Sequence, residues 1–279
     1  MIVFLSGGAK NGKTALAEDI AVKLSGGGRR FYVATMIPCD DEDRQRIARH
    51  RAERAEKGFG TLEIGRDIAS ALREDGRFDV GTATLDMPAQ GLPPEVLDGT
   101  DVLFWWGHAA HDKVEDALVE RIAERVRDGM GIVVLHSGHY SKVFRRLMGT
   151  GCRSKWWECG DRERIFSVCP GHPITAGLPE YFELPGEETY CEFFNIPTPD
   201  ELVFISWFSG GGVLRSGCCF HYGAGKIFYF QPGHETFPTY LDPNIRQVLR
   251  SAAAWAAPVN SAPPVWGKYE PMEQANACR

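Results

Sequence analysis

Gly131-Ile132-Val133-Val134-Leu135 is apolar from end to end, and so is Val102-Leu103-Phe104-Trp105-Trp106. A strand with one face in water alternates polar and apolar residues, so strands with no alternation must be covered on both faces. Between the two runs, residues 112–127 carry apolar positions at helical spacing, and Asp112 stands where an N-cap is expected. The surrounding stretch continues the rhythm. Residues 64–73 read as a helix, Phe78 to Leu85 as a strand after the turn at Asp75-Gly76, and Lys142 to Leu147 as a helix. Alternating β and α units of this kind predict a parallel sheet between two layers of helices.

Beyond residue 154 the pattern changes to short β-type runs at Phe166 to Val168, Val203 to Phe208 and Lys226 to Phe230. A helix is expected over Asn244 to Ala256, and residues 258–279, rich in Pro, Asn, Ser and Ala, read as a flexible tail. With 279 residues, 43% hydrophobic and 24% charged, the chain can bury a sizeable core. A net charge of −6 points away from nucleic acid and anionic membranes as partners. No stretch approaches the roughly 18 apolar residues of a membrane helix, and a cytoplasmic protein is expected. The eight cysteines form no CxxC pair, which predicts buried, reduced thiols rather than a zinc ribbon. Charge is unevenly placed, however: +3 over residues 1–62 and −9 over residues 63–279. We therefore expect an N-terminal segment over 1–62, a main domain over 63–257 and the tail.

In the first segment, Gly7-Gly8-Ala9-Lys10-Asn11-Gly12-Lys13-Thr14 fits GxxxxGK[ST], between an apolar run at Ile2 to Leu5 and a helical stretch at Ala15 to Leu24. That layout suits phosphate: backbone N–H groups at Gly7 and Gly12 cradle it, Lys13 reaches the β/γ-phosphates and Thr14 holds magnesium. ATP or GTP with magnesium is the expected ligand. A strand at Phe31 to Ala34 and a basic helix from Asp40 to Lys57 follow. Together with Tyr32-Val33-Ala34-Thr35, Asp40-Asp41-Glu42 and Arg46-Ile47-Ala48-Arg49-His50-Arg51, this opening resembles the adenosylcobinamide kinase/adenosylcobinamide-phosphate guanylyltransferases of cobalamin biosynthesis. That family guanylylates a histidine in the basic helix, which implies His50 as its counterpart; Arg49 replaces the other half of the usual histidine pair. The resemblance stops near Leu62. The segment reads either as a nucleotide site that survived a gene fusion or as a remnant lending its first strand to the next domain.

Seven of the eight histidines lie after residue 100. His108 and His111 follow the 102–106 run, His136 and His139 follow the 131–135 run, and His234-Glu235 follows the 226–230 run. Ligands of open α/β sheets bind outside the carboxyl ends of the strands, so these three groups are expected to converge. Imidazole with carboxylate suits a zinc-type divalent metal, and near neutral pH it also suits acid–base catalysis.

Residues from about 64 to 256 resemble the trehalose-utilisation ThuA family. Trp105-Trp106-Gly107-His108, His136-Ser137-Gly138-His139, Glu192-Phe193-Phe194, Pro199 to Phe208 and Pro232-Gly233-His234-Glu235-Thr236 carry the likeness. It implies a flavodoxin-like α/β fold akin to class I glutamine amidotransferases and a part in disaccharide catabolism. It also implies an oxidoreductase partner that makes 3-keto sugars. The turn that bears the amidotransferase cysteine holds His136-Ser137-Gly138 here, so a thiol amidotransferase is not expected. A carbohydrate-processing enzyme of hydrolase or lyase type is expected instead. The candidate catalytic residues are His136, Ser137, His234 and Glu235; the candidate metal ligands are His108, His139, Glu192 and His234. Trp105, Trp106, Trp156, Trp157, Trp207 and Tyr240 are candidate stacking faces for a sugar ring. The oligomeric expectation is a homo-oligomer.

Overall fold

The computed structural model describes residues 30–34, 59–63, 68–107 and 109–259. The phosphate-loop residues Gly7, Gly12, Lys13 and Thr14, together with His50 and His108, lie outside the described residues. Strands β1 (Arg30–Ala34) and β2 (Phe59–Glu63) pair in parallel, with Val33 opposite Leu62. Helix α1 (Ile68–Arg73) follows, then α2 (Pro94–Asp98).

The core begins with the two apolar runs. They form β3 (Val102–Trp106) and β4 (Gly131–Leu135), in parallel register with Phe104 opposite Val133. Between them runs α3 (Asp116–Arg127), which buries Leu118, Val119, Ile122, Ala123 and Val126 along one stripe. The helix starts four residues later than expected. Asp112 belongs to a separate 3-10 turn, His111–Lys113, and the N-cap of α3 is Glu115, whose side chain makes no capping bond. After β4 comes α4 (Lys142–Met148), capped by Ser141 Oγ accepting from the Phe144 amide. The expected strand at 78–85 does not form. Thr84 Oγ1 donates to Asp86 and the segment bends through exposed turns, because only Phe78 and Val80 are even partly covered.

The second half consists of β5 (Lys155–Ser167), β6 (Tyr181–Cys191), β7 (Glu201–Phe208), β8 (Val213–Tyr222) and β9 (Gly225–Phe230), closed by α5 (Pro243–Ala256). The sheet order is β3-β4-β9-β8-β7-β5-β6. In this sheet only β3–β4 and β4–β9 are parallel; every later pairing is antiparallel. The purely parallel sheet expected from the first half is thus a mixed one. The reason is local: β7–β8 and β8–β9 are joined by tight turns, which can only return the chain antiparallel.

Helices cover both faces of the parallel part. Ile132 and Val134 pack with α3 and α4, while Val133 and Leu135 pack with α1 and α5. The β6 edge is rolled inward. Four strand spacings on a flat sheet would separate β9 from β6 by roughly 19 Å. Yet Gln231, just past β9, donates from Nε2 to the Glu188 carbonyl of β6 at 3.0 Å. Among the described residues no helix is long and apolar enough to cross a membrane. The cysteines at 152, 191, 218 and 219 are buried and free, as expected, whereas Cys159 is exposed.

Glu163 of β5 is fully buried. Burial, reinforced by the Glu187 carboxylate, pushes its pKa well above the ordinary value, and the Ser206 hydroxyl only partly opposes this. A carboxyl with a raised native pKa contributes fully below its unfolded pKa and loses that contribution as pH rises. Glu163→Gln is therefore expected to stabilise the fold by roughly 1–3 kcal/mol at pH 8 and by little at pH 4.5. Urea melts at both pH values test this; parallel melts of the two proteins would contradict a neutral Glu163.

Candidate functional site

The site begins where β4 ends. His136 takes a left-handed backbone, φ 51°, a conformation that costs a side-chain-bearing residue and persists only where surroundings enforce it. Its ring is fully buried and stacks on Tyr190 at 5.1 Å between centroids. His136 Nδ1 lies 3.0 Å from the Gln231 carbonyl, which can only accept, so that nitrogen carries a proton. Nε2 then faces the Glu188 carboxylate at 3.0 Å.

His234 arrives from the other side, on the Gln231-Pro232-Gly233-His234 loop after β9. Glu187 holds this loop in place. One carboxylate oxygen accepts from the His234 and Glu188 amides, both at 3.0 Å, and the other from the Gly233 amide at 3.0 Å and Thr239 Oγ1 at 2.6 Å. Trp106 Nε1 donates to the Gly233 carbonyl at 3.1 Å, so this indole is a loop anchor. Gly233 has φ 140°, and a Cβ there would come within 2.0 Å of the Tyr240 hydroxyl; only glycine fits. The Thr236 amide donates to His234 Nδ1 at 3.2 Å, which leaves the ring proton on Nε2. That nitrogen looks toward three carboxylates, Glu158 and Glu188 at 3.8 Å and Glu235 at 3.9 Å.

His136, Glu188 and His234 thus bring one ligand atom each within 4.8 Å of one another, all three residues buried. Burial acts to raise the Glu188 carboxyl, but the hydrogen bond and charge of His136 and the charge of His234 outweigh it and hold the pKa below the ordinary value. Burial and the neighbouring Glu188 raise Tyr190 far above the usual phenol range. It is a neutral wall.

The expected site residues divide accordingly. His136, His234 and Glu235 come together. Ser137 is beside them, but its hydroxyl donates to the Gly107 carbonyl at 2.9 Å. His139 is in an aromatic cage of Tyr190, Phe194 and Tyr229, with Nε2 3.4 Å from Ser154 Oγ. Glu192 is paired with Arg215 at 2.8 and 3.1 Å and accepts from the Phe194 amide, so it faces away from the trio. His111 stands edge-on to Tyr140 at 6.0 Å. His172 accepts from the Ile174 amide, and His221 contacts Asp200, so both serve their own loops. The residues that sequence reasoning missed are Glu187, Glu188 and Glu158. An acidic doublet in a β run reads as a solvated face, and only its position before Thr189-Tyr190 in a strand hinted otherwise.

Burial, with the charges of His136 and His111, lowers the His139 pKa to about 3. Between that value and the ordinary 6.5, the unfolded chain binds a proton that the native chain does not. Stability is therefore full above pH 6.5 and falls by roughly 1.4 kcal/mol per unit below it. His139→Phe is expected to flatten this acid slope; guanidinium melts from pH 7 to 5 check it, and an unchanged slope would mean that His139 is protonated in the fold.

Comparison with known proteins follows this geometry. The family model described as "Trehalose utilisation" (ThuA) matches residues 50–256. The model described as "Cobinamide kinase / cobinamide phosphate guanyltransferase" matches residues 3–87. No curated protein sequence matches the chain. Among solved structures, a ThuA-like protein of Parabacteroides merdae is 17% identical with a TM-score of 0.51, over 71% of this chain and 86% of its own. A protein of Salmonella typhimurium described as cytoplasmic is 16% identical with a TM-score of 0.50, over 70% and 88%. At those identities the likeness is one of fold. The mixed, rolled sheet, the strand-end histidines and the match over residues 50–256 agree: this chain belongs to the ThuA family.

Proposed function

We propose that the chain processes a sugar, of the trehalose type oxidised to a 3-keto form, at the His136–Glu188–His234 trio. The observation that carries this reading is a buried cluster of two imidazoles and a carboxylate within 4.8 Å, in a chain whose family is that of trehalose utilisation. Each part has a chemical use. His234 Nε2–H is placed to give a proton to a leaving sugar oxygen. Glu158 and Glu235, the partly exposed carboxylates near it, are placed to take a proton from a carbon made acidic by an adjacent ketone. Proton removal from that carbon, formation of a C=C bond and departure of the protonated sugar oxygen make a balanced elimination, a lyase reaction. No cysteine takes part.

The trio also fits a zinc-type divalent cation. Ligand atoms each roughly 2.0–2.2 Å from one ion sit at separations like the 3.0 and 3.8 Å found here between Glu188 and the two rings. His136, Glu188 and His234 would hold such an ion, which would supply Lewis-acid polarisation of the sugar carbonyl. An oxidoreductase that makes 3-keto sugars is the natural supplier of substrate, in the cytoplasm, and a homo-oligomer is the working assembly.

Incubation of the purified protein with 3-ketotrehalose, followed by chromatography of the sugars, tests this. Consumption is expected, with a loss of at least roughly 100-fold in His136→Ala and in His234→Ala. Metal analysis before and after chelation then separates cation-assisted from purely acid–base chemistry. Unaltered turnover in both variants would refute the site.

A second reading rests on the cobinamide-kinase match at residues 3–87: nucleotide binding through Gly7, Gly12, Lys13 and Thr14, with His50 as guanylyl acceptor. Calorimetric titration with ATP and GTP is expected to show magnesium-dependent binding that Lys13→Ala abolishes; heat without saturation in the wild type excludes it.

A further inference from the structure

We infer that Trp156 is the stacking platform for a pyranose ring at the mouth of this site. The inference rests on the sugar reading and names the residue that would select its substrate. Strand register supplies the geometry. Trp156 pairs with Tyr190 across β5–β6, and directly paired residues of an antiparallel ladder point to the same face. Tyr190 stacks on His136, so the Trp156 indole shares the face of the trio. Glu158, two residues along the same strand, points to that side too, as its 3.8 Å approach to His234 shows.

The next pair, Trp157 and Thr189, turns to the opposite face, where both donate to Asp161 at 2.8 Å. Register therefore separates two adjacent tryptophans by role: Trp157 holds the ribbon together and Trp156 is left over for a ligand.

Exposure makes the same division among the other aromatic candidates. Trp156 is 63% exposed, whereas Trp105, Trp106, Trp157 and Trp207 are half-buried and Tyr240 is buried. Phe193 is more open still, at 83%, but Lys155 covers its ring, and Lys155 pairs with Cys191 on the opposite face. An exposed indole loses little by being covered and gains the burial of apolar area. Its negative π-face attracts the polarised C–H bonds on the flat side of a pyranose, while Glu158 and Glu235 at the ring's edge accept from hydroxyls. A peptide or lipid partner would ask for a continuous apolar patch. Here the exposed indole shares a strand face with the Glu158 carboxylate, the pairing of apolar face and acceptor that a sugar uses.

Titration of the full chain with trehalose, read by calorimetry, tests the inference. Trp156→Ala is expected to weaken binding by roughly tenfold or more, and Trp156→Phe to restore part of it. Melting temperatures of the two Trp156 variants should match the wild type, since the indole is on the surface. Equal trehalose affinity in wild type and Trp156→Ala overturns the platform and leaves the sugar reading standing. Absence of trehalose binding by the wild type, with 3-ketotrehalose also unbound, overturns both.

Discussion

The fold and the site both depend on one buried carboxylate. Glu187 accepts four hydrogen bonds, from the amides of Glu188, Gly233 and His234 and from Thr239 Oγ1. Burying a carboxylate costs several kcal/mol unless its oxygens are satisfied, and four donors at hydrogen-bond distance satisfy them. Those donors come from β6 and from the segment after β9, which a flat sheet would keep far apart. The roll of the sheet, the path of the 231–234 loop and the meeting of His234 with Glu188 are therefore one structural event. Removing Glu187 leaves four donors unpaired in the interior.

Around this anchor the structure sorts its ionisable groups by charge. Glu163 has its pKa pushed well above the ordinary value by burial and by the nearby Glu187 carboxylate, which the Ser206 hydroxyl only partly opposes. His139 is neutral because its aromatic cage offers no counter-charge. Glu188 is ionised because His136 and His234 face it. Charge is concentrated at the trio and suppressed around it. An enclosed carboxylate of that kind acts strongly on a bound substrate, since little water screens it. Glu192, offered by the sequence as a metal ligand, belongs to a separate pair with Arg215 that holds the chain after β6.

The two family matches overlap over residues 50–87, and β2, at 59–63, lies within the overlap while pairing with β1. The change of charge near residue 62 falls inside that overlap, at the end of β2. The β1–β2 ladder forms a two-stranded sheet of its own, distinct from the seven-stranded one.

Local chemistry made much of this legible from residues alone. Unbroken apolar runs announced β3 and β4, because burial on both faces leaves no place for a polar residue. Histidines just past β4 and β9 announced His136 and His234, because an open sheet presents its strand ends to ligand. Glycine at 233 was legible too, though its reason was not: Tyr240, seven residues on, fills the space a side chain would need. What the sequence could not contain was partnership across distance. Whether the 187–188 doublet was solvated or central depended on the rolled edge of the sheet. That His139 and Glu192 stood outside the site depended on the Tyr190–Phe194–Tyr229 cage and on Arg215. That Trp156 and not Trp157 faced the histidines depended on strand register. The sequence by itself determined which strands are buried and where imidazoles end them, since those are properties of neighbouring residues. Only the tertiary structure decided which carboxylates meet those imidazoles, since that follows from long-range hydrogen bonding and the parity of a strand pair.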